Sequence, residues 1–237
     1  NCDTQKKTST TRRRQTVEYA LDKCTNPNVE WNQLLAEEIA FKDGIVNILT
    51  GERKRHNWKM FLTSIIPHSY DAEALCPTWL GCLDFWFDDA NDKKMALQEY
   101  MGYILCLHAK YKKSLVLFGE SNTGKSVVCD VAIEMVSKKF FSCVSLEDMD
   151  DPAMCSPLKG SMLNICTELS ADSMLADGGF KKIVSNEPIQ INQKYSRLET
   201  IVPVAKILVA TNNLPRIPDI NSQGVFNRLL IIKFNKI

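Results

Sequence analysis

The stretch that decides the fold reads Ser-Leu-Val-Leu-Phe-Gly-Glu-Ser-Asn-Thr-Gly-Lys-Ser, residues 114–126. Its first half is an apolar run typical of a buried strand. Its second half has the spacing G-x-x-x-x-G-K-S and leads into a helical pattern over residues 125–138. A loop of this kind lets main-chain N–H groups converge on phosphate oxygens, and the N-terminus of the helix adds partial positive charge. The stretch therefore predicts a phosphate-binding loop.

Each residue type in this loop suits a nucleotide. Gly119 and Gly124 let the backbone turn tightly. Lys125 brings a cation to the outer phosphates, and the Ser126 hydroxyl is a ligand for Mg²⁺. A chance match in a loop of small residues is the alternative, and the strand–helix setting argues against it. The residues expected to bind the nucleotide are Gly119, Glu120, Ser121, Asn122, Thr123, Gly124, Lys125 and Ser126.

The pattern around the loop predicts an α/β fold. Short apolar runs are found at residues 113–119, 140–146, 161–169, 206–213 and 228–234. Such runs alternating with helices favour a mostly parallel sheet that is flanked by helices. We therefore assign residues 111–237 to a P-loop ATPase core.

Residues 1–110 have a different, mainly helical pattern and are assigned to a smaller N-terminal, collar-like domain. Helical spacing and Pro77 predict helices over residues 16–21, 29–36, 77–86 and 92–108. Residues 41–52, FKDGIVNILTGE, instead predict a short hairpin. Asp43-Gly44 and Thr50-Gly51 supply the turn chemistry on either side of a strand.

Composition limits the possible classes of function. The chain has 237 residues, of which 45% are hydrophobic and 24% charged, which suits a globular protein with a sizeable core. A formal charge of +1 excludes a histone-like protein, so any surface for nucleic acid must be locally basic. Nine cysteines without C-x-x-C spacing favour reduced thiols and a cytoplasmic location. No apolar stretch approaches the ~18 residues of a membrane span. The sequence begins at Asn1, and we expect it to be a fragment of a longer protein.

Polar side chains follow two of the predicted strands. Glu168 comes after the third strand, where a carboxylate can hold Mg²⁺ through water or polarise the attacking water. A plain surface acid is the alternative. Asp172 can assist Glu168 or cap a helix. Asn212 follows the fourth strand, and its amide can orient water because it both donates and accepts hydrogen bonds. Asn is also typical of turns before proline.

Two further features involve cationic residues. Arg228 opens the last strand and is either a finger for the nucleotide of a neighbouring subunit or a solvated charge. Residues 189–204 predict two short strands around a polar tip that contains Lys194, Tyr195 and Arg197. Two cations and an aromatic ring suit a phosphate backbone with base stacking, and a solvated hairpin end is the alternative.

Read in order, these motifs resemble those of superfamily 3 helicases, most closely the phage-, plasmid- and poxvirus-type primase–helicase branch. The likeness covers about residue 40 to the end. The matching segments are GESNTGKS (119–126), LNICTELS (163–170), FKKIVSNEPIQINQKY (180–195), KILVATNNLPRIPD (206–219) and FNRLLIIKF (226–234). Upstream, residues 41–52 and 67–83 resemble the helical domain that precedes the ATPase in this branch. Thr123 departs from the pattern, because many members have Gly there, and predicts a stiffer loop.

The resemblance implies an AAA+-type ATPase that assembles as a homo-hexamer, uses ATP and Mg²⁺, and grips single-stranded DNA in a central channel. It implies that Lys125 and Ser126 bind the nucleotide and Mg²⁺, and that Glu168 serves hydrolysis. It further makes Asn212 the sensor and Arg228 the finger, and it places the hairpin tip with Lys194, Tyr195 and Arg197 against DNA. A primase domain or protein of the same mobile element is an expected partner.

We therefore predict an ATP-dependent DNA helicase or translocase used in the replication of a phage, plasmid or other mobile element. Two other classes stay open. One is a non-catalytic, nucleotide-dependent DNA-binding assembly module, because Thr167 stands where a second acid would be. The other is a P-loop kinase for a small molecule, which an arginine-rich lid and an acceptor pocket would favour.

Overall fold

The first elements of the fold form a small antiparallel sheet. The computed structural model describes residues 15–17, 19, 32–167, 174–192, 198–217 and 223–236. The sheet consists, in order, of β1 (Glu38–Phe41), β2 (Gly44–Asn47) and β3 (Arg53–Lys54). The predicted hairpin is confirmed, with a turn at residues 42–43. Strand β3 was not predicted, because two exposed charged residues carry no strand pattern.

The helix predicted over residues 29–36 is wrong for residues 32–36, which are irregular. Asn32 has a left-handed backbone, with a φ of 56°. Its main-chain N–H donates to the carbonyl of Phe61 at 3.2 Å, and its side-chain oxygen accepts from the N–H of Thr63 at 2.8 Å. Long-range hydrogen bonds thus replace helical ones. Of the first predicted helix, at residues 16–21, the structure describes residues 16, 17 and 19, which are helical.

Two helices lead from this sheet to the core. Helix α1 (Pro77–Phe87) begins with proline in its first turn, as predicted. Helix α2 (Asn91–Ile104) ends before the predicted position, residue 108. Just past its end, the carbonyl of Cys106 accepts a hydrogen bond from Nζ of Lys206 at 3.0 Å, so tertiary contacts redirect the chain. In the part of the chain that the structure describes, no helix has the length and apolar character needed to cross a bilayer.

A five-stranded parallel sheet forms the centre of the molecule, which confirms the predicted α/β fold. The strands that follow α2 are β4 (Ser114–Gly119), β5 (Phe141–Ser142), β6 (Leu163–Thr167), β7 (Ile189–Ile191), β8 (Glu199–Ile201), β9 (Lys206–Thr211) and β10 (Leu229–Phe234). Those of the parallel sheet lie in the order β10-β4-β9-β6-β5. The other two, β7 and β8, form a separate antiparallel hairpin.

Alternate residues of the central strands face two separate hydrophobic cores. Leu115 and Leu117 of β4 pack into the core that also contains residues of α1, α2 and α3 (Lys125–Val136). Val116 packs into the other core, with residues of α4 (Asp177–Val184), α5 (Gln223–Phe226) and the β7–β8 hairpin. The sheet is therefore covered on both faces, which explains why its inner strands are mostly apolar. The first core joins residues on both sides of residue 110, and a domain boundary there stays a prediction.

Strand β5 is much shorter than the predicted strand at 140–146. Only Phe141 and Ser142 pair with β6. Beyond them, the buried side chain of Asn164 takes over the pairing. Its Oδ1 accepts from the N–H of Val144 at 2.8 Å, and its Nδ2 donates to the carbonyl of Val144 at 2.9 Å. A side-chain amide thus replaces the main-chain ladder.

Candidate nucleotide-binding site

The phosphate loop lies at the C-terminal ends of the parallel strands. β4 ends at Gly119, and α3 begins at Lys125. Neither loop glycine has room for a side chain: a Cβ at Gly119 would overlap the carbonyl oxygen of Phe234, and one at Gly124 would overlap the indole of Trp86. Gly124 also has a φ of +97°, in the left-handed region that favours glycine. Packing within the protein therefore requires glycine at both positions.

Lys125 is held inside the loop by the loop's own carbonyl groups. Its Nζ donates to the carbonyl oxygens of Gly119 at 2.8 Å and Glu120 at 2.5 Å. The residue is 8% exposed, and this burial lowers the pKa of its ammonium group from the usual value. Ser126 lies in the first turn of α3 and is exposed. A cation and a hydroxyl are thus presented side by side at the start of a helix, the place that attracts phosphate.

The middle of the loop is closed by its own hydrogen bonds. The Thr123 hydroxyl is buried and donates to the carbonyl of Glu120 at 2.8 Å. The left-handed conformation that precedes it falls on Asn122, with a φ of 64°. Asn tolerates that region better than most residues, so Thr123 needs no strained backbone. The threonine adds a cross-link within the loop, in line with the stiffness expected from the sequence.

Asn212 comes into contact with the phosphate loop. It follows β9, the strand directly beside β4. Its side-chain Nδ2 donates to the hydroxyl of Ser121 at 3.1 Å. The turn is supported by Thr211, whose hydroxyl donates to the carbonyl of Asn213 at 2.6 Å. Turn chemistry and loop contact are thus both present, and the sensor role of Asn212 stays a prediction.

The predicted acid, Glu168, follows strand β6, which ends on the same side of the sheet as the phosphate loop. β6 ends at Thr167, opposite Ala210 of β9. Strand β9 therefore lies between the loop strand and the acidic strand. Glu168 and Asp172 lie outside the described residues, so their distance from Ser126 stays a prediction.

Arg228 lies at the N-terminal ends of the parallel strands, whereas the phosphate loop of its own chain lies at their C-terminal ends. It precedes β10, which pairs in parallel with β4, and the main-chain carbonyl of Arg228 accepts from Ser114 at the start of β4. Its guanidinium donates to the Ser185 hydroxyl at 2.9 Å and to the carbonyl of Gly224 at 2.6 Å. The structure therefore does not bring Arg228 to the loop that carries Lys125.

The predicted hairpin between β6 and β9 is confirmed. β7 and β8 pair antiparallel, with Ile189 opposite Ile201. Ile191 is fully buried in the second core. Glu199 of β8 accepts from Nζ of Lys159, at 2.7 Å, which ties the hairpin to the core. The predicted DNA-binding residues Lys194, Tyr195 and Arg197 lie outside the described residues.

Sequence reasoning missed the contacts that cover the loop from outside. Trp86 of α1 and Phe234 of β10 reach it from elements far away along the chain. Both residues have the pattern of ordinary core aromatics. No local signal separates a core aromatic from one that lies against a loop.

A parallel sheet in which an inner strand leads through G-x-x-x-x-G-K-S into a helix is a P-loop NTPase core. Residues 2–88 match the family model described as D5 N terminal like. Residues 117–228 match a family of unknown function, DUF5906. Each match covers less than half of the chain, and the D5 N-terminal-like match agrees with the resemblance to superfamily 3 helicases of the primase–helicase branch. No curated protein matches the chain.

Solved structures share the fold. The A form apo structure of the NrS-1 C terminal region has a TM-score of 0.58 and 16% sequence identity, and the match covers 94% of this chain and 52% of that one. An apo structure of the NrS-1 C terminal region (305–718) has a TM-score of 0.54 and 17% identity, and covers 70% of this chain and 40% of that one. This chain therefore spans about half the length of the first of these structures.

Proposed function

We propose that this protein is an ATP-dependent motor that moves along single-stranded DNA and unwinds duplex during the replication of a phage, plasmid or other mobile element. The proposal rests on a contact between the segment that follows β9 and the phosphate loop that follows β4. The amide of Asn212, after β9, donates to Ser121 in the phosphate loop, which also holds Lys125. A group that contacts the loop from a neighbouring strand can respond to the terminal phosphate, which a plain phosphate-binding loop cannot do.

The residues of the loop and of the neighbouring strand ends have different proposed roles in hydrolysis. Main-chain N–H groups and the ammonium of Lys125 hold the phosphates and offset their charge. The Ser126 hydroxyl, exposed in the first turn of α3, is a hard oxygen ligand that suits Mg²⁺, with Glu168 as a second oxygen ligand through water. When bound, Mg²⁺ would neutralise charge on the outer phosphates. Glu168 polarises the attacking water, and Asn212 orients it.

The position of Arg228 supports an assembly in which subunits complete one another's sites. The arginine lies at the N-terminal ends of the strands and its own loop at their C-terminal ends, so Arg228 can reach a nucleotide only in a neighbouring copy. Head-to-tail contacts of this kind form a ring when the rotation between neighbouring copies closes. We therefore propose a homo-hexamer in which Arg228 stabilises the charge that develops during hydrolysis in the adjacent subunit.

The β7–β8 hairpin is the proposed contact with DNA. Its base is anchored by buried Ile189 and Ile191. Lys194, Tyr195 and Arg197 at the tip would bind the phosphate backbone and stack on bases of single-stranded DNA in the channel. A primase domain or protein of the same element is the proposed partner. The cytoplasm is the proposed location, because the seven cysteines in the described part of the chain are unpaired.

Measuring ATP hydrolysis with and without single-stranded DNA tests the proposal. We expect turnover that rises when DNA is added and is lost in Lys125→Ala. A small-molecule kinase would show little response to DNA. An assembly module would bind nucleotide without turnover, and either result would contradict the proposal.

A further inference from the structure

Trp86, in the last turn of α1, lies directly against the phosphate loop. Measured from the place where a Cβ at Gly124 would be, atoms Cε2 and Cζ2 of the indole are 2.6 and 2.9 Å away. The side chain is 8% exposed. The indole therefore fills the space beside the one loop residue whose left-handed φ of +97° requires glycine.

The indole is itself held in place by other aromatic rings. The ring centroid of Phe234, the last residue of β10, is 5.4 Å from that of Trp86, and the ring of Trp79 is 5.9 Å away, edge-on. Phe234 also covers Gly119, since its Cβ is 3.2 Å from where a Cβ there would be. An ion pair between Lys236 and Asp88 joins the segment after β10 to the residue after α1. Both loop glycines are thus covered by one aromatic cluster.

We propose that Trp86 is a positioning residue that sets the affinity of the loop for nucleotide. The inference rests on the proposed function, namely nucleotide binding at residues 119–126. Glycine populates left- and right-handed conformations about equally, so Gly124 would sample both if the space beside it were empty. With the indole in place the loop is already in one conformation, and binding has less conformational entropy to remove. Because Trp86 belongs to α1, the helices ahead of the core influence the nucleotide site through it.

A matched pair of variants tests the proposal. Trp86→Phe removes the part of the ring that lies against Gly124. Trp79→Phe makes the same change on the same helix at a ring that does not contact Gly124, and its phenyl ring still packs beside the Trp86 indole. Titration with ADP and with a slowly hydrolysed ATP analogue, both with Mg²⁺, should give a Kd raised about ten-fold in Trp86→Phe and within about two-fold of wild type in Trp79→Phe. Turnover at saturating ATP should change little, because no reacting group is removed.

The outcomes separate this inference from the proposed function. If the wild-type protein binds no nucleotide, the proposed function fails. If it does bind, and the two variants bind with equal affinity, the role of Trp86 is refuted. Should Trp86→Phe fail to fold, a variant that keeps Trp86 and replaces Trp31, Trp58 and Trp79 by Phe provides a second measurement. Its fluorescence should shift when ADP binds, and an unchanged spectrum during confirmed binding would overturn the proposal.

Discussion

Arg228→Ala should stop hydrolysis without weakening the binding of nucleotide to the altered subunit. β10 is six residues long, and its last residue, Phe234, pairs with Gly119 of the phosphate loop. At about 3.3 Å per residue, the strand places Arg228 about 20 Å from that loop. An arginine side chain does not span such a distance. The guanidinium therefore acts on a neighbouring subunit or not at all.

The size of the effect follows from the chemistry and from the assembly. An arginine that stabilises the charge of phosphoryl transfer is worth about 10³-fold or more in kcat, so Arg228→Ala alone should be almost inactive. Lys125→Ala should also be inactive, because its own site lacks the cation. In a ring assembled from equal amounts of both, about a quarter of the sites combine an intact Lys125 with a neighbour's Arg228. The mixture should therefore recover about a quarter of the wild-type rate.

A steady-state ATPase assay with single-stranded DNA, on variants assembled separately and together, checks this expectation. Ser185→Ala is the matched control, because it removes the hydroxyl that binds Arg228 at 2.9 Å but keeps the guanidinium. It should stay close to wild type. No recovery in the mixture, although cross-linking shows both variants in the same rings, would refute the action of Arg228 between subunits.

Three further predictions concern stability and the loop. Asn164→Ala should lower the free energy of unfolding by about 2–4 kcal/mol in urea, because both main-chain groups of Val144 lose a buried partner; a loss under about 1 kcal/mol would contradict this. Gly119→Ala should lower the melting temperature and weaken nucleotide binding, since its methyl group meets the backbone of β10; unchanged melting and binding would rule out that close approach. Deprotonation of Lys206 should contribute a rise of about 1 kcal/mol to the free energy of unfolding between pH 8 and 9, because burial lowers the pKa of Lys206 to about 8 while unfolded lysine stays protonated. The buried thiols act in the opposite direction from about pH 8 upward, because burial raises the pKa of the Cys129 and Cys166 thiols to about 12 while unfolded thiols ionise at about pH 8.5. Urea unfolding of the wild type and of Lys206→Met from pH 7 to 10.5 isolates the lysine contribution as the difference between the two curves; a difference that does not change between pH 8 and 9 would exclude Lys206.

Several elements were predictable because their signals are local. The loop at 119–126 carries its turn, charge and helix start within a few residues. The β7–β8 hairpin shows its alternation in Ile189, Ile191 and Ile201, and the structure pairs these strands as expected. The helix expected over residues 32–36 failed, because the Asn32 backbone bonds to Phe61 instead. The strand expected to extend to residue 146 ended early, because a side-chain amide from β6 replaced the ladder.

The sequence by itself determined the class of core, the phosphate loop and the order of its motifs, since apolar periodicity and turn residues act over a few neighbours along the chain. Only the tertiary structure decided that β9 lies between β4 and β6, that Asn212 contacts Ser121, and that Arg228 is far from its own loop. It also decided that Trp86 lies against Gly124. These facts depend on which strands become neighbours and on how two cores pack against one sheet. Packing of that kind is settled by the whole chain together, so no short pattern can specify it.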